Sequence, residues 1–599
     1  MSLHPFKAAA AAAVSLALIS GQAAAGVIYV DADAPGLNNG NNWTNAYTGL
    51  HTALAFAAAG DDIWIAEGTY TPTSGTSSFF VPAGVRLYGG FIGNETSLGQ
   101  RDPTIHFAIL SGDINGDDQP GFVNRTDNAN HVLWLTQPDA DTRLDGLVVR
   151  GGYADTFPQE GGGLVIDGGT VIIDECLFID NWSAEGGAIY VDHTDTVRIR
   201  DSVCYANSIN PSQTSSSGGA VSARSSDLLI ERCEFALNSS RANTSTMGGA
   251  VNLSSCTARF EDCTFTENFT DAGTNTSGGA LSVFGGATDL ARCVFERNNA
   301  DSDNTSYAGA IDINATMFES AAVRVAGCQF LGNTSKSEGG AITVSGDATL
   351  DLVDSLIAGN SSSQGTAISN LGVLTISSST IANNDTTSVV SHAGLYSITG
   401  SQVTIDNSIL WANGGGDTQS SEIISANPPT INHSCVQGWT GSLGGAGNFG
   451  DDPLFFDADG LDNTHGTADD NYTLKRFSPC IDAGDNAAVP PDDLDLDADG
   501  NTTEKIPLDV YGRDRRHDDP DVADTGNGNA PFVDIGAVEL QLRSCPADLD
   551  VNGILDLADI TAFITGFTGL DPIADLDGNG IWDLADIVLF VGFFNAGCP

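Results

Sequence analysis

The sequence predicts a mainly β chain built as a parallel β-helix, followed by a small helical module carrying two calcium loops. Three observations carry this reading. A β-type repeat runs through the middle of the chain, an oxygen-rich twelve-residue loop occurs twice near the C-terminus, and 70 Gly beside 3 Met suit short strands and turns rather than helical bundles. At 599 residues the chain is too long for one compact core. Its charge excludes some partners at once. With 77 acidic against 23 basic residues, it lacks the clustered Lys and Arg that neutralise a nucleic-acid backbone, and anionic membrane surfaces are disfavoured likewise. A 41% hydrophobic content argues against wholesale disorder.

Taken in order, residues 1–25 read as a signal peptide. A weakly basic start (His4, Lys7) leads into an apolar stretch over 8–19, and Ala23-Ala24-Ala25 supplies small residues for cleavage before Gly26. The expected address is secreted or extracellular, associated with the cell surface, with no membrane span after signal removal. Residues 26–140 read as an N-terminal cap and first coils: a strand at 27–30, an Ala-rich helix around 47–59, then a coil strand from Asp62.

Residues 141–425 carry the repeat. A six-residue frame recurs as Cys176…Phe178…Asn181, Cys233…Phe235…Asn238, Cys263…Phe265…Asn268, Cys293…Phe295…Asn298 and Cys328…Phe330…Asn333, with Cys204 in the Phe slot of its own coil. It continues with Ser and an aliphatic residue at Ser355, Ser379 and Ser408. Apolar residues stand three and five positions before most anchors, as Ile230 and Leu228 do before Cys233, which is strand alternation followed by a bend. Gly-Gly-Ala at Gly186, Gly218, Gly248, Gly278 and Gly339 marks a further strand start. Three short strands per turn, stacked in register, make a solenoid, with Asn forming a ladder at the bend and the Ser/Thr-rich stretches 210–217 and 272–277 projecting as loops.

These alternating motifs, Gly-Gly-Ala-apolar and Phe-x-x-Asn over residues 151–413, resemble the polymorphic outer-membrane protein repeats of bacterial surface proteins. The resemblance implies a right-handed β-helix displayed outside the cell, often in adhesion. The chain departs from that family in lacking a C-terminal membrane barrel. Residues 426–543 read as C-terminal coils and a cap at the other end; within them the segments Ser478-Pro479-Cys480-Ile481-Asp482-Ala483-Gly484-Asp485 and Val533-Asp534-Ile535-Gly536-Ala537-Val538-Glu539 resemble the choice-of-anchor Q module found after β-helices in exported bacterial proteins.

Residues 545–599 carry the clearest chemistry. The first loop sets Asp548, Asp550, Asn552, Asp556 and Asp559 at positions 1, 3, 5, 9 and 12, with Gly553 at 6 and the Ile554 carbonyl at 7. The second sets Asp575, Asp577, Asn579, Asp583 and Asp586 in the same places, with Gly580 and Ile581. Ca²⁺ is a hard cation that takes about seven oxygens from such alternating side chains, so two Ca²⁺ sites are expected. An apolar stripe follows each loop: Leu557, Ile560, Ile564, Phe567, then Leu584, Ile587, Val591, Phe594, corresponding at an offset of 27. The duplication resembles a dockerin, the Ca²⁺-dependent domain that plugs into a cohesin. It implies a cohesin-like or other cell-envelope protein as partner. Leu557-Ala558 and Leu584-Ala585 depart from the polar pairs of many dockerins, and their identity in the two halves allows either helix to face a partner.

Of the 11 Cys, five (Cys176, Cys233, Cys263, Cys293, Cys328) share one inward slot and read as a buried apolar stack rather than a metal site. Cys435–Cys480 and Cys545–Cys598 are candidate disulfides. The acidic runs beginning at Asp457 and Asp495 are incomplete as calcium loops, a solvated loop accounts for them equally well, and the run beginning at Asp113 is a weaker match still. No catalytic set is legible. The outward Glu234, Thr264, Val294 and Gln329 form no acid–base group, and His193 beside Asp192 and Asp195 reads as a solvated surface residue. Two functions stand. One is a secreted or cell-surface scaffold, adhesin-like and able to present a glycan or cell-surface ligand site, attached through its calcium module. The other is an extracellular polysaccharide lyase or glycoside hydrolase anchored the same way.

Overall fold

The computed structural model describes the chain except for residues 1–25, 156–158, 210–213, 317, 387–392, 476, 520–521, 542–545, 550–554, 556, 571, 577–580 and 598–599. Its body is a parallel β-helix. One sheet of 13 strands runs in strict chain order from Gly68–Tyr70 to Cys435–Val436, every pair parallel. A 24-stranded sheet covers two further faces, joined because Val251–Glu261 and Leu281–Ala291 pass the corner between them as unbroken 11-residue strands.

A central coil shows how the repeat makes this shape. Strand Asp227–Glu231 buries Leu228 and Ile230, Arg232 turns at φ 52°, and strand Glu234–Ala236 begins beyond Cys233 with Phe235 inward. The left-handed residue is the odd step that the spacing requires, and Asp262 and Arg292 repeat it at 53° and 52°. A second left-handed corner precedes each Asn, as at Leu237 and Glu267. Phe235, Phe265, Phe295 and Phe330 occupy one register row, and their rings stack at 4.9, 4.6 and 4.9 Å, close to the strand spacing itself.

The expected Asn ladder is present. From Asn181 to Asn384, each Nδ2 donates to the Oδ1 of the next coil's Asn at 2.8–3.1 Å. Each of those Oδ1 atoms also accepts the backbone N–H of the preceding rung, as Asn298 Oδ1 does from Asn268 at 3.0 Å. Buried corner backbone is thereby satisfied without water. The five Cys of the inward slot are buried free thiols within the main core, as read, and the slot carries hydrogen bonds as well. Ser355 N–H donates to Ser379 Oγ at 3.1 Å and Ser355 Oγ donates to the Val353 carbonyl at 2.7 Å, while Cys293 N–H donates to Cys328 Sγ at 3.2 Å. Cys and Ser replace one another there because either heteroatom can relay the corner's hydrogen bonds.

Three expectations change. A central coil has more than three strands: after the Asn corner the chain stays extended as Ser239–Ala242 or Phe269–Ala272, in an eight-stranded sheet. The stretches expected as loops form strands Ser215–Ser217 and Asn275–Ser277, in a four-stranded sheet of their own. The Gly-Gly-Ala turn is what brings the backbones this close. Gly248 sits at φ 60°, and a Cβ on Gly249 would meet the Gly279 carbonyl oxygen of the next coil. Third, the C-terminal region does not cap the end alone but doubles back along the outside. Leu494 and Leu496 cover Ala291 and Ala326, Val510 and Tyr472 cover Leu331 and Leu356, and Ile535 packs on Ile409. At the N-terminal end, Val27–Val30 pairs with Asp62–Ala66, and helix Leu50–Phe56 buries Leu50, Ala53 and Leu54 against the core.

Candidate functional site

Helices Leu557–Gly569 and Leu584–Ala596 form a two-fold-like pair. Their buried centre is Phe563 stacked on Phe590, centroids 4.2 Å apart. These two residues also correspond at the offset of 27, yet the stripes read from sequence pass them by. Of the stripe residues, Leu557 and Leu584 are more than 70% exposed, and Ile564 and Val591 are at least half exposed. The helices therefore turn a second apolar face outward, continuous with a groove of about 350 Å³ lined by Ile560, Ile564, Phe567, Ile587, Val591 and Phe594.

The loop residues that are described match between the halves. Asp559 Oδ1 accepts the Leu549 N–H at 2.7 Å, and Asp586 Oδ1 accepts the Leu576 N–H at 2.8 Å. Both carboxylates are wholly buried, and Asp548 and Asp575, the first ligands expected, are less than a tenth exposed. Asp583 is the N-cap of the second helix, its Oδ1 accepting the Ala585 N–H at 2.6 Å, and Ile581 lies exposed beside it. Asp550, Asn552, Ile554, Asp556, Asp577 and Asn579 lie outside the described residues, as do Cys545 and Cys598. Residues 546–597 contain no Lys, Arg or His. Four carboxylates held out of water with no basic residue in the module make a donor set that fits a hard cation.

Among the weaker acidic runs, Asp113 has a local explanation. Its carboxylate accepts the N–H groups of Gly116, Asp117 and Asp118 at 2.7–3.2 Å, closing a turn. Asp495, Asp497 and Asp499 stay partly or fully exposed. The Cys435–Cys480 bridge is not formed: both are free thiols, buried in one apolar cluster, and the Cys480 thiol beside it together with burial pushes the Cys435 thiol up.

On the β-helix, a groove of about 280 Å³ runs along the Gly-Gly-Ala face, beside the four-stranded sheet. The Arg224 guanidinium pairs there with Glu185, reaches the Tyr190 hydroxyl at 3.3 Å, and lies 5.6 Å over its ring. Asp312, whose Oδ2 accepts from Asn314 Nδ2 at 2.6 Å, is pushed up to about 7 by burial. In register, Asp312 stands three coils from Ser222, which shares a strand with Arg224; the two charges are about 14 Å apart along the axis. That spacing is too long for one concerted proton transfer. His193 is exposed and pairs with Asp192 at 2.8 Å. Glu422, absent from every sequence reading, ends the Asn ladder: Asn413 Nδ2 donates to its Oε2 at 2.6 Å and Asn413 N–H to its Oε1 at 3.1 Å.

No family model and no curated protein sequence matches this chain. Among solved structures, it is similar to a pectate lyase, Pel9A, at TM-score 0.39 and 14% identity, over 87% of this chain and 98% of that one. It is also similar to a rhamnogalacturonan lyase at TM-score 0.25 and 13% identity, over 68% of this chain and 87% of that one. At these scores the likeness carries no chemistry, and the β-helix rests on the strand pairings above.

Proposed function

We propose that the chain is an exported, cell-surface β-helix scaffold that docks through a C-terminal module holding two Ca²⁺ ions. The observation that carries this reading is the matched pairs of buried carboxylates, Asp548 with Asp559 and Asp575 with Asp586, in a base-free stretch at the roots of two helices whose outer faces are apolar. Asp548, Asp550, Asn552, Asp556 and Asp559 would hold one ion with the Ile554 carbonyl, and Asp575, Asp577, Asn579, Asp583 and Asp586 the other with the Ile581 carbonyl. The ions supply charge that lets the loops close and fixes the angle of the helices. Leu557, Ile564, Leu584 and Val591 then present an exposed apolar face to a cohesin-like or other cell-envelope protein. No helix among the described residues is long and apolar enough to cross a membrane, and the proposal assigns attachment to the module.

The test is Ca²⁺ uptake and retention on the producing cells. Calorimetric titration of the chelator-treated chain gives two equivalents assigned to the module, both lost in Asp559→Ala/Asp586→Ala. Retention of the labelled chain on its cells needs Ca²⁺ and survives Leu557→Lys or Leu584→Lys singly but not together. Absence of module-dependent uptake overturns the reading, and additive losses from the two single variants overturn the interchangeable helices.

A second reading, an extracellular lyase or glycoside hydrolase, draws its support from the groove in which Arg224 pairs with Glu185. Incubation with polygalacturonate, alginate and other acidic glycans in Ca²⁺, followed by chromatography of products, decides it. Shortened chains that disappear in Arg224→Ala favour this reading over a scaffold.

A further inference from the structure

We infer that Asp482, Asp518 and Asp524 form a third divalent-cation site, which ties two parts of the returning C-terminal segment together where it packs on the β-helix. One carboxylate oxygen from each lies within 4.8 Å of the others, small enough for one Ca²⁺, whose opposite oxygens sit about 4.8 Å apart. Acidic side chains crowd many loops, but Asp482 adds an independent mark. It is wholly buried, and among the described residues its Oδ1 meets no hydrogen-bond donor. Its Oδ2 accepts the Asp519 N–H at 3.3 Å. A buried carboxylate oxygen without a donor is expensive unless a cation completes it.

The loop is held in place to supply that cation. The Asp482 carbonyl accepts N–H groups from Thr525 and Gly526 at 3.1 and 2.9 Å, and Asp482 N–H donates to Asp534 Oδ1 at 2.8 Å. Arg515, the basic group in this buried neighbourhood, is engaged by Asp354 at 2.9 Å and by the Gly536 carbonyl. Burial, with the negative charges of Asp518, Asp524 and Asp519, pushes Asp482 up to about 6. An all-oxygen set without His or Cys selects a hard cation over zinc or copper. Asp518 and Asp524 are exposed, so an ion can enter from solvent. Asp482 lies within the segment that doubles back, and Ile481 and Ala483 on either side pack into the cluster around Ile409. An ion there would tie Asp518 and Asp524 to that packed stretch.

The site is tested on the full chain after chelation, with Ca²⁺ alone as probe. Asp518→Asn/Asp524→Asn changes two exposed residues and should leave the fold intact. Calorimetric titration is expected to show one equivalent fewer than the parent chain, with the module's ions unchanged. Hydrogen exchange over 519–528 is expected to slow about tenfold with Ca²⁺ at ten times its Kd in the parent chain, and not in the variant. Equal stoichiometry in the two chains, or exchange in this loop indifferent to Ca²⁺, overturns the inference. Either outcome is independent of whether the C-terminal helices bind ions, because the comparison is a difference between chains with the same module.

Discussion

The β-helix and the C-terminal module solve the same problem with opposite chemistry. Both bury polar groups beside tight left-handed or loop backbone. In the coils the buried groups are neutral amides and hydroxyls that donate to and accept from one another. The Asn298 amide, for example, is bonded to Phe265, Asn333 and Asn268 at once. In the module the buried groups are carboxylates, and residues 546–597 contain no base to meet them. A repeat can satisfy each coil with the next one, because identical groups recur about every 4.8 Å. A two-helix unit has no neighbour of its own kind, and in the function proposed above it recruits charge from solution. Stability should thus be intrinsic in the first region and conditional in the second.

Chelation should break the comparison most visibly. With EDTA the module is expected to lose its helices entirely while the β-helix keeps its own transition, so a calorimetric trace resolves into one altered and one unaltered event. An unchanged trace would sink the calcium assignment. Next in size is an interior rung. Asn298→Ala strands the Asn268 N–H and Nδ2, and it should destabilise the β-helix by on the order of 4 kcal/mol. Asn181→Ala, at the acceptor end, strands only the Gly152 N–H as a donor and should cost about half that, which denaturant titration can resolve. In the module, Phe563→Ala should cost about 3 kcal/mol in the calcium-loaded state, against almost nothing for Leu557→Ala. Equal effects would mean that the helices pack through the stripe read from sequence.

The smallest effect sharpens the comparison where the two chemistries meet. Glu422 is the one carboxylate placed on the Asn ladder, and burial, against the two Asn413 donors, pushes it up to about 8. The unfolded value is near 4.3. Since the folded pKa is the higher, the native state holds the proton more tightly. This contribution is therefore fully present below about pH 4.3 and fades as pH rises through 8. Glu422→Gln should flatten that slope, by about 2 °C in Tm between pH 5 and 8, and a slope that survives the substitution would remove Glu422 as its source.

Much of this was legible before any coordinates, because a solenoid writes its geometry into its period. The Cys/Ser, Phe and Asn slots gave the coil, its inward face and the ladder, and the offset of 27 gave the paired loops. The extra strands after each Asn were hidden because Ser, Thr and Gly there carry no apolar alternation. The outward residues Leu356, Ala358 and Ile409 did carry a sign, since apolar positions on an outer face require a cover, but the pattern could not say which distant segment supplied it.

Sequence alone determined the repeat, its register and the correspondence of the two acidic loops, since each depends on residues spaced at fixed short intervals. Only the tertiary structure decided the rest. It aimed Phe563 at Phe590 and Leu557 at solvent, ended the ladder on Glu422, and brought Asp482 within reach of Asp518 and Asp524. Those pairings join residues whose separation follows no period, so they exist only once the chain has folded back on itself.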